Sequence, residues 1–203
     1  MKRTLLLVLI GFVGGFLWLA GLRYFIAQPE EVHYHANFAV FINGERELFE
    51  LPTYYEEVAA CTTAYHDNPK GRVHMHGEVN DVIHVHDARV TYGNFFHNIG
   101  WGIGKNYLAT VDKTYVVDEE NELTFILNGE EIDSITNRVI GNLDKLLVSY
   151  GDETDEVLQK QFETVAGSAE ETNKYQDPGS CGGLNGSGHG SFGNKLKRAT
   201  FWP

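Results

Sequence analysis

The stretch Arg72–Asp87, RVHMHGEVNDVIHVHD, carries four histidines as two H-x-H pairs on either side of a turn-forming EVND. On a β-strand, residues i and i+2 face the same way, so each pair presents two imidazoles together. The first run places Arg72, His74, His76 and Glu78 on one face and Val73 and Met75 on the other. The second run separates His84 and His86 from Ile83 and Val85. If the two runs pair through the turn, one face is apolar and buried while the other displays four histidines. Cross-strand neighbours lie roughly 4.5 to 5.5 Å apart at Cβ, within reach of a shared ion.

A third pair, His33 and His35, opens HYHANFAVFINGERELFEL (33–51), so six of the nine histidines sit in H-x-H pairs. Alternation along Tyr34, Ala36, Phe38, Val40 and Ile42 is strand periodicity. Asn43-Gly44 then suits a two-residue hairpin turn whose central residues both take positive φ. A similar unit recurs at ELTFILNGEEI (122–132), with Asn128-Gly129 at the turn. Between them, Thr53 with Glu56 three residues on predicts a short helix over TYYEEVAACTTAY (53–65), broken by HDNPKG. TYGNFFHNIG (91–100) predicts a short helix capped by Thr91 and closed by Gly100, with Phe95, Phe96 and Ile99 facing the core. KTYVV and DKLLVSYG add strands. ETDEVLQKQFETV (153–165) predicts an amphipathic helix with Val157, Leu158, Phe162 and Val165 on one stripe. The expected fold class is α+β: a transmembrane helix, then one domain of β-hairpins with short helices.

Residues 4–22, TLLLVLIGFVGGFLWLAGL, run without a charge between Lys2-Arg3 and Arg23, long enough to cross a bilayer's hydrocarbon core. No cleavage site with small residues at both required positions follows it, since Trp18 stands two before Ala20 and Phe25 two before Ala27. The expectation is an uncleaved signal anchor over residues 1–23. Basic residues at the N-terminus place the short end in the cytoplasm and the rest of the chain outside the cell membrane. The expected organisation continues with a linker (24–32), an extracytoplasmic α+β domain (33–175) and a flexible Gly/Ser-rich tail (176–203).

The chain has 16 Lys and Arg against 28 Asp and Glu, a net charge of −12. The first 23 residues hold three of the bases and no acid, so the domain is more acidic still. Such a body repels phosphate backbones, which excludes nucleic acid as a partner and suits cations. The two cysteines, Cys61 and Cys181, form no C-x-x-C, which argues against a thioredoxin-type redox centre. Whether they join in a disulfide is open.

Neutral imidazole is the commonest ligand for zinc and copper, so His33, His35, His74, His76, His84 and His86 are the candidate metal ligands and copper or zinc the expected cofactor. A lone H-x-H on a strand is usually two solvated histidines. Three pairs are different, because so many titratable rings together repel one another once charged. Protonation should compete with the metal below about pH 6 to 6.5, the range of free histidine. Glu78, Asp81 and Asp87 are candidate outer partners that orient imidazole N–H groups. His97 reads equally as a further ligand or as a helix residue, and His66 and His189 have no assigned role.

The order H-x-H-A-x-F-x-V-F-I-N-G-E, V-H-x-H, V-I-H-x-H, T-x-G-x-F-F, a second N-G-E, L-D-K-L-L-V-S-Y-G and a C-G-G near the end resembles a family of small, membrane-anchored, exported histidine-rich domains of microbes. The likeness runs from about His33 to Gly183. Members have sometimes carried a protein-disulfide isomerase label by automatic transfer, for which two distant cysteines offer no chemistry. The resemblance implies an envelope location and a shared histidine site, and it brings no activity. The expected function is an anchored extracytoplasmic protein that buffers, senses or delivers copper or zinc. A metal-dependent envelope enzyme, with Glu78 as general base, or an interaction module without metal are the alternatives.

Overall fold

The computed structural model describes residues 2–26, 32–56 and 69–174. Cys61, Cys181, His66 and His189, the end of the helix expected from Thr53, most of the linker and the Gly/Ser-rich tail lie outside them. The chain divides into two units, Met1–Glu30 with Leu184–Pro203, and Glu31–Gly183.

In the first unit, helix α1 (Lys2–Ile26) is apolar on every side, and Lys2–Arg23 is long and apolar enough to cross a membrane. At about 1.5 Å per residue it exceeds the roughly 30 Å hydrocarbon core. A signal sequence near an N-terminus has the same length and composition.

The second unit is α+β. Its elements are β1 (Tyr34–Ile42), β2 (Glu45–Arg46), a 3-10 turn (Pro52–Tyr54), α2 (Pro69–Arg72), β3 (Val73–His74), β4 (Val82–Val85), α3 (Tyr92–Asn98), β5 (Gly102–Ile103), β6 (Tyr107–Ala109), β7 (Thr114–Val116), β8 (Glu122–Leu127), β9 (Glu130–Ile132), β10 (Lys145–Gly151), α4 (Asp155–Glu163) and α5 (Ser168–Thr172). The main sheet runs β3-β4-β1-β10-β8-β9, with β2 paired to β1, and β5-β6-β7 form a second, small sheet. At the centre β1 and β10 are parallel, Asn37 opposite Lys145 through Ile42 opposite Tyr150. Hairpins alone therefore do not make this sheet, because its middle joins strands about a hundred residues apart in sequence.

Both N-G dipeptides take the left-handed backbone, Asn43 at φ 50° and Gly44 at 81°, Asn128 at 55° and Gly129 at 87°. Antiparallel strands flank each of them. The return strand after Gly44 is only two residues long, shorter than ERELFEL suggests. Phe49 takes φ 49° and turns into the core, where its ring lies 5.2 Å from Phe38 and 5.0 Å from Trp101, drawing the chain off the sheet.

Two other local expectations also change. Thr53 lies inside the 3-10 turn rather than capping a helix, and Tyr55 then bridges Met75 in extended conformation. Arg72 ends the helical turn α2, while Glu78 takes φ 58° in the following turn, so neither extends the β3 face. Elsewhere the capping chemistry matches. Thr91 and Asn94 form a reciprocal capping box on α3, and Gly100 follows at φ 83°. On α4 Leu158 is buried, as is Val165 just past its end, but Val157 is 39% exposed and Gln161 takes its place at 6%. The i, i+3 spacing of Leu158 and Gln161 puts both on the sheet-facing side, and Gln161 accepts a hydrogen bond from the buried Ser149 hydroxyl at 2.8 Å.

The sheet separates two apolar clusters. Ala36, Phe38, Val40, Ile83, Val85, Leu146 and Val148 pack with Phe95, Phe96 and Trp101 on one face. Ala39, Phe41, Ile126 and Leu147 meet Leu158 and Val165 on the other. The loop entering β10 is organised by Asp144. Its carboxylate accepts from the Tyr92 hydroxyl at 3.1 Å, the Gly141 amide at 2.7 Å and the Asn128 side chain at 2.8 Å. A Cβ on Gly141 would sit 2.9 Å from that carboxylate, tighter than side chains tolerate. Burial first, and then the Asp144 charge, hold the Tyr92 phenol far above its ordinary range, so it is a neutral donor.

Asp144→Ala leaves the fully buried Tyr92 hydroxyl without its acceptor and frees the loop. The expected loss is about 3 kcal/mol in urea unfolding of the full chain in detergent, against less than about 0.5 kcal/mol for the exposed Glu131→Ala.

Candidate metal centre

The site follows from strand register. β4 pairs antiparallel with both β1 and β3, setting His84 opposite His35 on one side and opposite His74 on the other. Three imidazoles thus form one row across three strands, on the face away from the aromatic core. One step along the pleat, His33 and His86 stack with ring centroids 4.8 Å apart and planes at 12°. His86 also lies 5.0 Å from His74, and His76 folds back to 3.9 Å from His84. All six paired histidines therefore converge. His97 does not join them: it is exposed on α3, whose Phe95 and Phe96 fill the opposite face.

Hydrogen bonds orient the rings. His74 Nδ1 lies 2.8 Å from the Lys70 carbonyl, which can only accept, so Nδ1 carries the proton and the lone pair is on Nε2. His35 Nδ1 lies 2.7 Å from Asn173 Oδ1, and the Asn173 amide nitrogen donates to Asn142 Oδ1 at 2.9 Å. That assigns His35 the same tautomer. Its Nε2 then accepts from His84 Nδ1 at 2.9 Å. An imidazole whose Nδ1–H is held by an outer acceptor, with Nε2 presented inward, is the usual arrangement of a metal-ligating histidine.

Asn173 and the Lys70 carbonyl are the outer partners of these two rings, and neither carries a signal in the sequence. Of the acids expected in that role, Asp87 takes the Arg72 guanidinium at 2.7 Å, and Glu78 is exposed in its turn. The main-chain carbonyl of Asp81 receives the Asn37 side chain at 3.0 Å.

His35, His84 and His74 are 1%, 3% and 7% exposed, while His33 is open to solvent, so the array is closed at its base and reachable from one side. Ligand atoms of His33, His35 and His84 lie within 4.8 Å of one another, a group that could hold a metal ion. Nitrogens at 2.0 to 2.1 Å from a tetrahedral ion stand roughly 3.3 Å apart, so modest side-chain rotations would close the set. Burial, and then the charges of His76, His35, His74 and His86, push His84 far below the ordinary imidazole range. Burial, and then His74, His33, His35 and His76, push His86 down to about 2. Both rings keep their lone pairs well below the pH 6 to 6.5 expected of free histidine.

The sign of the linkage follows. Above about pH 6.5 these two rings are neutral in both folded and unfolded chains. Below it the unfolded chain binds protons that the folded one refuses, so stability falls as pH falls, by on the order of 1 kcal/mol per pH unit for each ring. Urea midpoints of the metal-free chain should decline between about pH 7.5 and pH 5, and the His84→Gln/His86→Gln variant should show a flatter decline. A parent midpoint independent of pH would contradict the burial of neutral rings. No family model, curated protein or solved structure matches this chain.

Proposed function

We propose that this chain is a membrane-anchored, extracytoplasmic metal-binding protein that takes up copper or zinc through its paired histidines, to buffer, sense or deliver the ion. The observation that carries the reading is the cross-strand register that sets His35, His84 and His74 in one row, with His33 beside them. His33, His35 and His84 are the core ligands in this reading, with His74, His76 and His86 adjoining. All-imidazole ligation suits both zinc and copper(II). Met75, fully buried on the opposite face, offers no thioether. The apolar α1, with Lys2 and Arg3 in its first turn, supports an anchor whose acidic domain lies outside the cell. The likeness to small exported histidine-rich domains favours the same location.

The test is elemental analysis and metal titration of the untagged full-length chain in detergent, beside His35→Ala/His84→Ala. Stoichiometric zinc or copper in the parent and loss of it in the variant is the expected result. A parent that stays metal-free and titrates like the variant would defeat the proposal. The outer partner gives a finer expectation. Asn173→Ala removes the acceptor that orients His35 and should weaken affinity by roughly 10- to 100-fold. Asn173→Asp keeps an acceptor oxygen and should retain affinity within about threefold, as read by competition titration with a chromophoric chelator.

A further inference from the structure

His35 and Asn37 stand two residues apart on β1, so their side chains leave the same face of the sheet. Both are bound by one short helix. The Ala169 amide donates to Asn37 Oδ1 at 2.9 Å and the Asn37 side-chain amide donates to Ser168 Oγ at 2.9 Å, which pins the start of α5. At its other end His35 Nδ1 donates to Asn173 Oδ1 at 2.7 Å. From Ala169 to Asn173 a helix rises about 6 Å, and from Asn37 to His35 a strand advances about 6.7 Å, so the two pins are spaced alike.

Apolar burial adds little to that hold. Ala169 is the one buried residue of α5, no side chain caps its start, and five residues are too few for a helix to stand alone. The ion pairs of Lys174 with Glu170 and Glu171 are exposed and internal to the segment. Polar bonds therefore dock α5, and the one at its end is made by a candidate ligand.

His35 belongs to the three residues whose ligand atoms lie within 4.8 Å of one another. In the metal-free chain its Nε2 accepts from the neutral His84 Nδ1 at 2.9 Å. A cation in that place draws electron density from the ring, makes Nδ1–H a stronger donor and fixes the ring's orientation. The bond to Asn173 strengthens with it. Linkage makes the effect reciprocal: if docked α5 raises affinity roughly 10- to 100-fold through Asn173, the ion must hold α5 docked more firmly by the same factor.

We propose that α5 is a metal-linked clamp: an ion on His33, His35 and His84 fastens its end to β1 through the His35–Asn173 bond, and loss of the ion loosens it. This rests on the metal-binding reading above, and among buffering, sensing and delivery it selects sensing. Lys174 leads directly into residues 175–203, so the state of the site reaches the point where that segment leaves the domain.

The test is hydrogen exchange, read by mass spectrometry on peptides covering residues 166–174 of the untagged full-length chain in detergent. It is run with and without saturating Zn2+ and, separately, Cu2+, with bound ions counted on the same samples. Either ion, once bound, should slow exchange of these amides by at least about tenfold in the parent. In Asn173→Ala, saturated at a higher concentration, these amides should not respond to the ion, while undiminished protection of β10 shows that the variant is folded. Asn173→Asp keeps an acceptor oxygen and should retain the slowing within about threefold. A parent that binds an ion with unchanged exchange at 166–174 overturns the clamp and leaves the metal-binding reading standing, whereas a parent that binds neither ion overturns both. Equal slowing in the parent and in Asn173→Ala overturns the assignment to the His35–Asn173 bond.

Discussion

The pairing of β4 between β1 and β3 is the constraint on which the centre depends. Because side chains alternate with a period of two, a slip of one residue in β4 would turn Ile83 and Val85 out of the core and drive His84 into it. Each buried aliphatic side chain contributes about 1.5 to 3 kcal/mol, and an imidazole among Phe38, Phe95 and Phe96 would find no partner. The aromatic core therefore sets the register, and the register gathers the histidines. The chemistry of one face is positioned by the packing of the other.

Along β1 the outer face changes character in steps. Phe41 and Ala39 lie against α4, Asn37 comes next, and His35 follows. Asn37 is matched by α5, whose Ala169 amide donates to it at 2.9 Å and whose Ser168 hydroxyl accepts from it at 2.9 Å. Asn173, just past the end of α5, reaches His35. A five-residue helix has no stability of its own in water, so α5 is held by these contacts. A second line of support runs from the Asp144-organised loop, where Asn142 fixes the Asn173 amide. Orientation of the His35 ring is therefore a tertiary property, assembled from segments around positions 35, 142 and 173.

That explains which parts were legible in the sequence. Period-two alternation in HYHANFAVFI and VIHVH located β1 and β4 and told their two faces apart, and Thr91 and Gly100 bounded α3, because these signals are local. Parallel pairing of β1 with β10 leaves no local trace, and of the β5-β6-β7 sheet only β7 was legible, within KTYVV, the other two strands being two and three residues long. The α4 stripe failed at Val157 because Gln161 is polar by composition, yet it is buried by its bond to Ser149. Six candidate ligands were readable from their spacing, but their convergence needed the strand order. Asn173 gave no signal at all, being one asparagine in a polar stretch whose role exists only once α5 has docked.

The stability cost of the array bears on what it is for. Alkyl side chains at positions 35, 74 and 84 would need no polar partner, whereas buried imidazoles lose their hydration and must replace it with bonds such as those to one another, to Asn173 and to the Lys70 carbonyl. Chains keep such locally unfavourable choices where a ligand makes use of them. A cation held by these lone pairs returns that stability, by RT ln(1 + [L]/Kd), or roughly 4 kcal/mol at a thousandfold excess over Kd. Because His84 and His86 resist protonation, the proton is a weak competitor for those two rings. The burial that makes the empty array costly thus also keeps protons off its two inner rings, His84 and His86.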